Sequence, residues 1–301
     1  MRFESTIRKP VSAKGVGLHS GVPVSITLKP APPGTGIVFR RTDLDGFEIP
    51  AAWEHVARVS YATSLMRKGV LISTTEHLLS MLASMGVDNV IVEIDNLEVP
   101  ILDGSSLPFV EMLREAGMRA SRRPRKYLRI RRPVTLEDKG KKITVLPADT
   151  LAVSCEVFFD HPLVGKQSLE MTVSADRYAK EIAAARTFGF EKELDAMRDM
   201  GLIRGATLES AVCFTPDGVL NEGGLRFQDE PCRHKILDLI GDFALLGKPL
   251  LAHVIAERAG HALHVAMVNK IMSDPSTYEV VSFDQLATRV AESLVAADGI
   301  S

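Results

Sequence analysis

Arg233-His234-Lys235-Ile236-Leu237-Asp238-Leu239-Ile240-Gly241-Asp242-Phe243 is the stretch from which the rest of the chain is best read. Its apolar spacing is helical. At about 100° per residue, Asp238 lies about 40° from His234, Asp242 about 80° and Lys235 about 100°. Ile236, Leu239, Ile240 and Phe243 fall between roughly 140° and 240° on the same wheel, an apolar stripe suited to packing on a sheet. The opposite side carries His, Asp, Asp and Lys. A His and an Asp four residues apart point the same way one turn apart. That is the geometry of two ligands for one small cation, and also of a solvated helix face.

Outward from this helix, which the pattern extends over about 229–246, strand-like runs lie near Ser210 to Phe214 and Leu250 to Glu257, and a helix runs from His261 to about Met272. Upstream, the runs Tyr127 to Leu136, Lys142 to Leu146, Leu151 to Phe159 and Ser168 to Val173 precede a helix over Ala175 to Ala185. In the first third, strands at Val24 to Leu28, Gly36 to Arg40 and Asn89 to Ile94 accompany helices at Ser73 to Met85 and Leu107 to Glu115. Strands come in antiparallel-looking groups rather than in alternation with helices, so the expected class is α+β and not a doubly wound sheet or a TIM barrel. The basic, proline-containing stretch Arg122 to Lys126 marks a change of composition. It predicts a first domain over 1–121, a linker over 122–126 and a second domain over 127–301.

With 301 residues, 46% hydrophobic and 25% charged, the chain has side chains enough for a large core and is not disordered. A formal charge of −2 gives no overall basic bias, so no nucleic-acid partner is expected. Cys155, Cys213 and Cys232 are too few and scattered for a disulfide framework or a four-thiolate zinc site. No window reaches the roughly 18 apolar residues of a membrane span, and Met1 to Thr6 lack the apolar core of a signal peptide. The expectation is a cytoplasmic protein, taken as a monomer.

A second cluster strengthens the cation reading. In Ser73-Thr74-Thr75-Glu76-His77, Ser73-x-x-Glu76 fits a capping box, which would give Glu76 a purely structural task. His77 has no such task. An adjacent Glu-His pair also suits a hydrolytic metal site, where imidazole binds the ion and the carboxylate takes a proton from the attacking water. A set of His77, His234 and Asp238 leaves a fourth position open, as catalytic zinc requires. Cys232 falls about 160° from His234, on the apolar side, and offers no fourth ligand. His19, His161, His261 and His264 are each compatible with an ordinary structural histidine.

The ordered motifs GVGLHSG at 15–21, RRTDL at 40–44, ISTTEHLLS at 72–80, PILDGSSLPFV at 100–110, ARTFGF at 185–190, LNEGGLRFQDE at 220–230, RHKILDLIGD at 233–242 and GHALH at 260–264 make the chain resemble the UDP-3-O-acyl-N-acetylglucosamine deacetylases, the LpxC family of lipid A biosynthesis. The resemblance runs from about Gly15 to about Phe283. It implies two α+β domains, each a sheet layered against helices and each with a small insert, with the active site between them. It implies one catalytic Zn²⁺ on His77, His234 and Asp238, with Glu76 as general base, His261 as cation and acid, Asp242 holding His261, and Thr187 facing the oxyanion. Substrate contacts carried over are Lys235, Phe188, Phe190, Phe159 and His161, and Glu191 to Met200 falls where the family encloses the acyl chain. The implied partner is a UDP-linked acylated amino sugar. From the residues alone, a zinc amidohydrolase acting on another N-acetylated sugar stays open.

Overall fold

The computed structural model describes residues 1–286 and 288, so the last part of the expected second domain, 289–301, lies outside the described residues. A five-stranded sheet takes its strands in the order Val11–Val16, Pro23–Pro30, Val90–Ile94, Ile37–Arg41 and Phe47–Pro50. All its pairings are antiparallel except that of Ile37–Arg41 with Val90–Ile94. Alternation sets its inner face: Val24, Ile26 and Leu28 are buried while the residues between them are not.

A seven-stranded sheet forms the second half, organised around Leu250–Glu257. That strand pairs in parallel with Leu151–Phe159 and antiparallel with Lys141–Pro147. The fold is α+β, as the mixture of strand groups predicts.

The helices are α1 (Glu76–Met85), α2 (Leu107–Ala116), the short α3 (Ala175–Arg177), α4 (Glu191–Asp199), the long α5 (Glu230–Phe243) and α6 (His261–Ser273). Helix α1 ends at Gly86, whose φ of 81° gives the left-handed turn that lets its N–H reach Ala83 and Leu82 carbonyls. Proline in the first turn of both α2 and α5 starts each without losing a helix hydrogen bond. Helix α5 packs on α1, α6 and strand Leu151–Phe159, and α2 packs on α1 and strand Val11–Val16. One apolar cluster runs unbroken through Ile26, Leu78, Ile236 and Val254, so both sheets share a core.

Local structure differs from the pattern at several places. The stretch expected as a linker at 122–126 is in regular structure: Met118–Pro124 is a strand antiparallel to Phe3–Ile7, and Arg125 leads straight into strand Lys126–Ile130. Its exposed arginines and terminal proline lie on the outer strand of a two-stranded ribbon whose other strand buries Ser5, Thr6 and Ile7. Arg125 itself is buried and donates from Nε to Asp88 Oδ1 at 2.8 Å. The run 127–136 is two strands, interrupted before Val134. The run 175–185 is a single α-turn that passes into a π-helical turn at Tyr178–Ile182, where buried Tyr178 bonds Ser80 Oγ at 2.9 Å.

Candidate active site

The site begins with the contact between two helices. Where α5 crosses the start of α1, a Cβ on Gly241 would lie 2.1 Å from the Glu76 carbonyl oxygen, so only glycine permits the approach. The crossing sets Glu76 and His77 of α1 beside His234, Asp238 and Asp242 of α5. All five are almost fully buried.

One ligand atom each from His77, His234 and Asp238 lies within 4.8 Å of the others. His234 Nδ1–H donates to the Ala185 carbonyl at 3.1 Å, which leaves Nε2 as a lone pair. Asp238 Oδ2 accepts from Lys235 Nζ at 2.7 Å, while buried Oδ1 has no hydrogen-bond partner among the described residues. That orphaned oxygen sits 3.3 Å from His234 Nε2 and 3.7 Å from His77 Nε2. Acceptors converging without a donor repel, and a shared cation relieves them. The residues therefore fit a metal ion of the kind bound by two imidazoles and a carboxylate.

Electrostatics prepare the same set. Burial, with His234 nearby, pushes His77 down to about 3, and burial lowers His234, so both imidazoles are shifted toward the neutral form that can bind a cation. Burial alone would raise Asp238, but His234, Lys235, His261 and His77 outweigh it and hold the carboxyl well below its usual range.

Glu76 is not a capping residue. Thr75, not Ser73, is the residue before α1, and it makes no side-chain cap; Ser73 Oγ instead bonds Ser64 Oγ at 2.9 Å. The Glu76 carboxylate points inward, where Oε2 accepts from the Thr63 N–H at 3.1 Å and Oε1 lies 3.9 Å from His261 Nε2. Burial raises it to about 8, against the pull of His261.

His261 opens α6 and donates from Nδ1 to Asp242 Oδ2 at 2.8 Å. Burial opposes charging this ring, yet Asp242, Asp238 and Glu76 together raise it to about 10. His264, one turn on, shares that Asp242 oxygen at 2.9 Å and is buried. It is therefore tied to the site, although its spacing alone gave it no task.

Glu76, His77, His234, Asp238 and His261 line a cavity of about 430 Å³, with Asp242 and His264 behind His261. Thr187 and Phe188 are on its wall; the Thr187 backbone is pinned by its N–H to the Gly104 carbonyl at 2.8 Å and by its carbonyl to Val212 N–H at 2.8 Å. Lys235 reaches the wall with Nζ 5.6 Å from the Phe188 ring centre. The far side is apolar, with Leu18, Leu194, Met197, Ile203 and Leu220.

Phe159, His161 and Phe190 are not on the wall. They pack behind Phe188, with Phe159 5.4 Å from both Phe188 and Phe190 and His161 5.0 Å from Phe214. Both His161 nitrogens are occupied within the protein, by the Thr215 carbonyl and by Leu163 N–H. His19, which spacing left without a task, does reach the cavity, and neither of its buried ring nitrogens has a partner among the described residues. Thr63 also escaped notice, because no local pattern distinguishes a threonine in a turn.

The fold and this site define a class: an α+β protein with two buried histidines and an aspartate that could hold a cation, and with a carboxylate and an imidazole of raised pKa beside them in a half-apolar cavity. The sequence profile of the UDP-3-O-acyl N-acetylglycosamine deacetylase family matches residues 4–273, and the chain belongs to that family. It is 67% identical over 295 residues to a UDP-3-O-acyl-N-acetylglucosamine deacetylase of Solibacter usitatus (strain Ellin6076), covering 98% of this chain and 100% of that one. It is 47% identical over 279 residues to the like-named protein of Myxococcus xanthus (strain DK1622), covering 92% and 89%. No helix among the described residues is long and apolar enough to cross a membrane.

Proposed function

We propose that this chain hydrolyses the N-acetyl group of UDP-3-O-[(3R)-3-hydroxyacyl]-N-acetylglucosamine to acetate and the free 2-amino sugar, with one zinc ion on His77, His234 and Asp238, as the committed step of lipid A biosynthesis in the cytoplasm. The observation that carries the chemistry is the unpaired Asp238 Oδ1 facing two imidazole nitrogens, with Glu76 and His261 alongside. The substrate rests on the names of the relatives.

When bound, zinc supplies Lewis acidity, polarising an amide carbonyl and lowering the pKa of water toward ~7. The chain's own residues meet the remaining needs of amide hydrolysis. Glu76, held by Thr63 N–H at one oxygen, takes the proton of the attacking water at the other. A cation next to it favours its ionised form, as a base requires. The Thr187 hydroxyl and protonated His261 donate to the developing oxyanion. His261 Nε2 is the proton source for the departing nitrogen, since Asp242 fixes the other proton on Nδ1. Lys235 holds Asp238 in place and meets polar groups of the substrate, Phe188 lines the sugar region, and the apolar far wall takes the acyl chain.

The test is acetate release from the acylated UDP-sugar by purified protein, before and after chelation and with zinc restored. Release that stops on chelation and returns with about one equivalent of zinc is expected. No release from folded, zinc-loaded protein overturns the reading and points to another N-acetylated sugar.

A further inference from the structure

We infer that Thr63 is a positioning residue that holds the base and the acid of the site in one fixed relation, an inference that rests on the deacetylase reading. Thr63 lies in the turn just before strand Ser64–Arg67 and is fully buried. Its backbone N–H donates to Glu76 Oε2 at 3.1 Å. Its hydroxyl donates to Asp242 Oδ1 at 2.6 Å and lies 3.3 Å from His261 Nδ1. Its carbonyl accepts from the Thr75 N–H at 3.2 Å and the Thr75 hydroxyl at 3.1 Å. Every polar atom of the residue is therefore committed, the N–H to the base, the hydroxyl to the carboxylate that holds His261, and the carbonyl to Thr75, the residue just before α1.

The consequence lies in Asp242. Its Oδ2 is shared by two imidazoles, His261 and His264, so that oxygen alone does not decide which ring the carboxylate faces. Thr63 is the hydrogen-bond donor on the other oxygen, and with it the carboxylate plane is fixed. Without the hydroxyl, Asp242 Oδ1 is a buried acceptor with no donor among the described residues, and the carboxylate is free to rotate about its bond to find one. His261, whose Nδ1 is held by Asp242 Oδ2 at 2.8 Å with the Thr63 hydroxyl itself 3.3 Å away, loses both constraints together and turns with it. Because the same residue's N–H holds Glu76, the turn transmits one placement to both proton-moving groups. Thr63 comes from the first half of the chain and Asp242 from the second, so this bond also ties the two halves at the site. The hydroxyl touches neither the candidate ligands His77, His234 and Asp238 nor the apolar wall, so its loss acts on the rate and leaves zinc and substrate binding alone.

The experiment compares Thr63→Val, which keeps the shape and removes the donor, with Thr63→Ser, which keeps the donor. Each is measured as holoenzyme for kcat, KM, zinc content and melting midpoint. A misplaced catalytic group costs on the order of 10²-fold. The expected result for Thr63→Val is therefore a fall in kcat of about 10- to 100-fold with KM and zinc content held, and for Thr63→Ser a kcat within about 3-fold of the parent. A double-mutant cycle with Asp242→Asn should show Thr63→Val costing little further, because its effect passes through that carboxylate. A kcat for Thr63→Val equal to the parent's, an equal loss in the serine variant, or fully multiplicative losses in the cycle would overturn the inference. Should valine prevent folding, Thr63→Ala against Thr63→Ser carries the same comparison. Absence of acetate release by the parent protein is a different outcome, and it removes the deacetylase reading itself.

Discussion

The two sides of the cavity are built on opposite principles. On the polar side, Glu76, His77, His234 and Asp238 come from two helices packed so closely that Gly241 has no room for a side chain. On the apolar side, α4 has no buried residue at all, and the segment after it is held to the first half by Arg204 N–H to the His19 carbonyl and Gly205 N–H to the Leu18 carbonyl, at 3.2 and 3.1 Å. Burial of charge demands rigid support, since an unpaired or misplaced ion in a low dielectric is costly. An apolar wall that accommodates a chain needs only contact area. The difference teaches where substitutions should act: on chemistry and folding at one side, on substrate fit at the other.

The largest effect should come from the polar side's base. Glu76→Gln should keep zinc yet lower turnover by on the order of 10² to 10⁴-fold, measured as kcat with metal content in parallel. A near-normal rate would return Glu76 to a structural role and remove the contrast in chemistry. Next, Gly241→Ala places a methyl group against the Glu76 backbone, which cannot step aside as a flexible side chain would. Overpacking of this kind should cost about 3 kcal/mol, read as a lower denaturation midpoint together with weaker zinc retention. An unshifted midpoint would mean that the helix seam is more yielding than the wall opposite.

The smallest effect belongs to the apolar side. A Cβ at Gly205 would lie 2.2 Å from the Gly17 carbonyl oxygen, so Gly205→Ala should lift the segment from the first half. The expected outcome is a KM for long-acyl substrate raised about 10-fold, roughly 1.4 kcal/mol, with little change in kcat or zinc content. A fall in kcat with KM held would show that this wall also positions the reacting groups.

How much of this was legible in the sequence follows from the range of each interaction. His234 and Asp238 share a helix face, and Glu76 and His77 are adjacent, so local spacing was enough to group each pair. The strand Leu250–Glu257 and the helix from His261 were readable for the same reason, with boundaries that match the pattern. The strand Met118–Pro124 was not legible, because an exposed arginine-rich strand has the composition of a linker. Phe159, His161 and Phe190 came from the family resemblance, and the structure places them one layer behind Phe188. A motif marks residues that go together without distinguishing those on a wall from those that support it.

The sequence by itself determined the helical faces, the strand alternation and the motifs of the family, because these depend on backbone period and on neighbours within a turn or two. Only the tertiary structure decided that Asp238 Oδ1 is left without a donor, that Glu76 is raised and His77 lowered by burial, and that Thr63, His19 and His264 belong to the site. Desolvation and hydrogen bonding at these positions are set by residues far away along the chain, and no local spacing encodes which of them will meet.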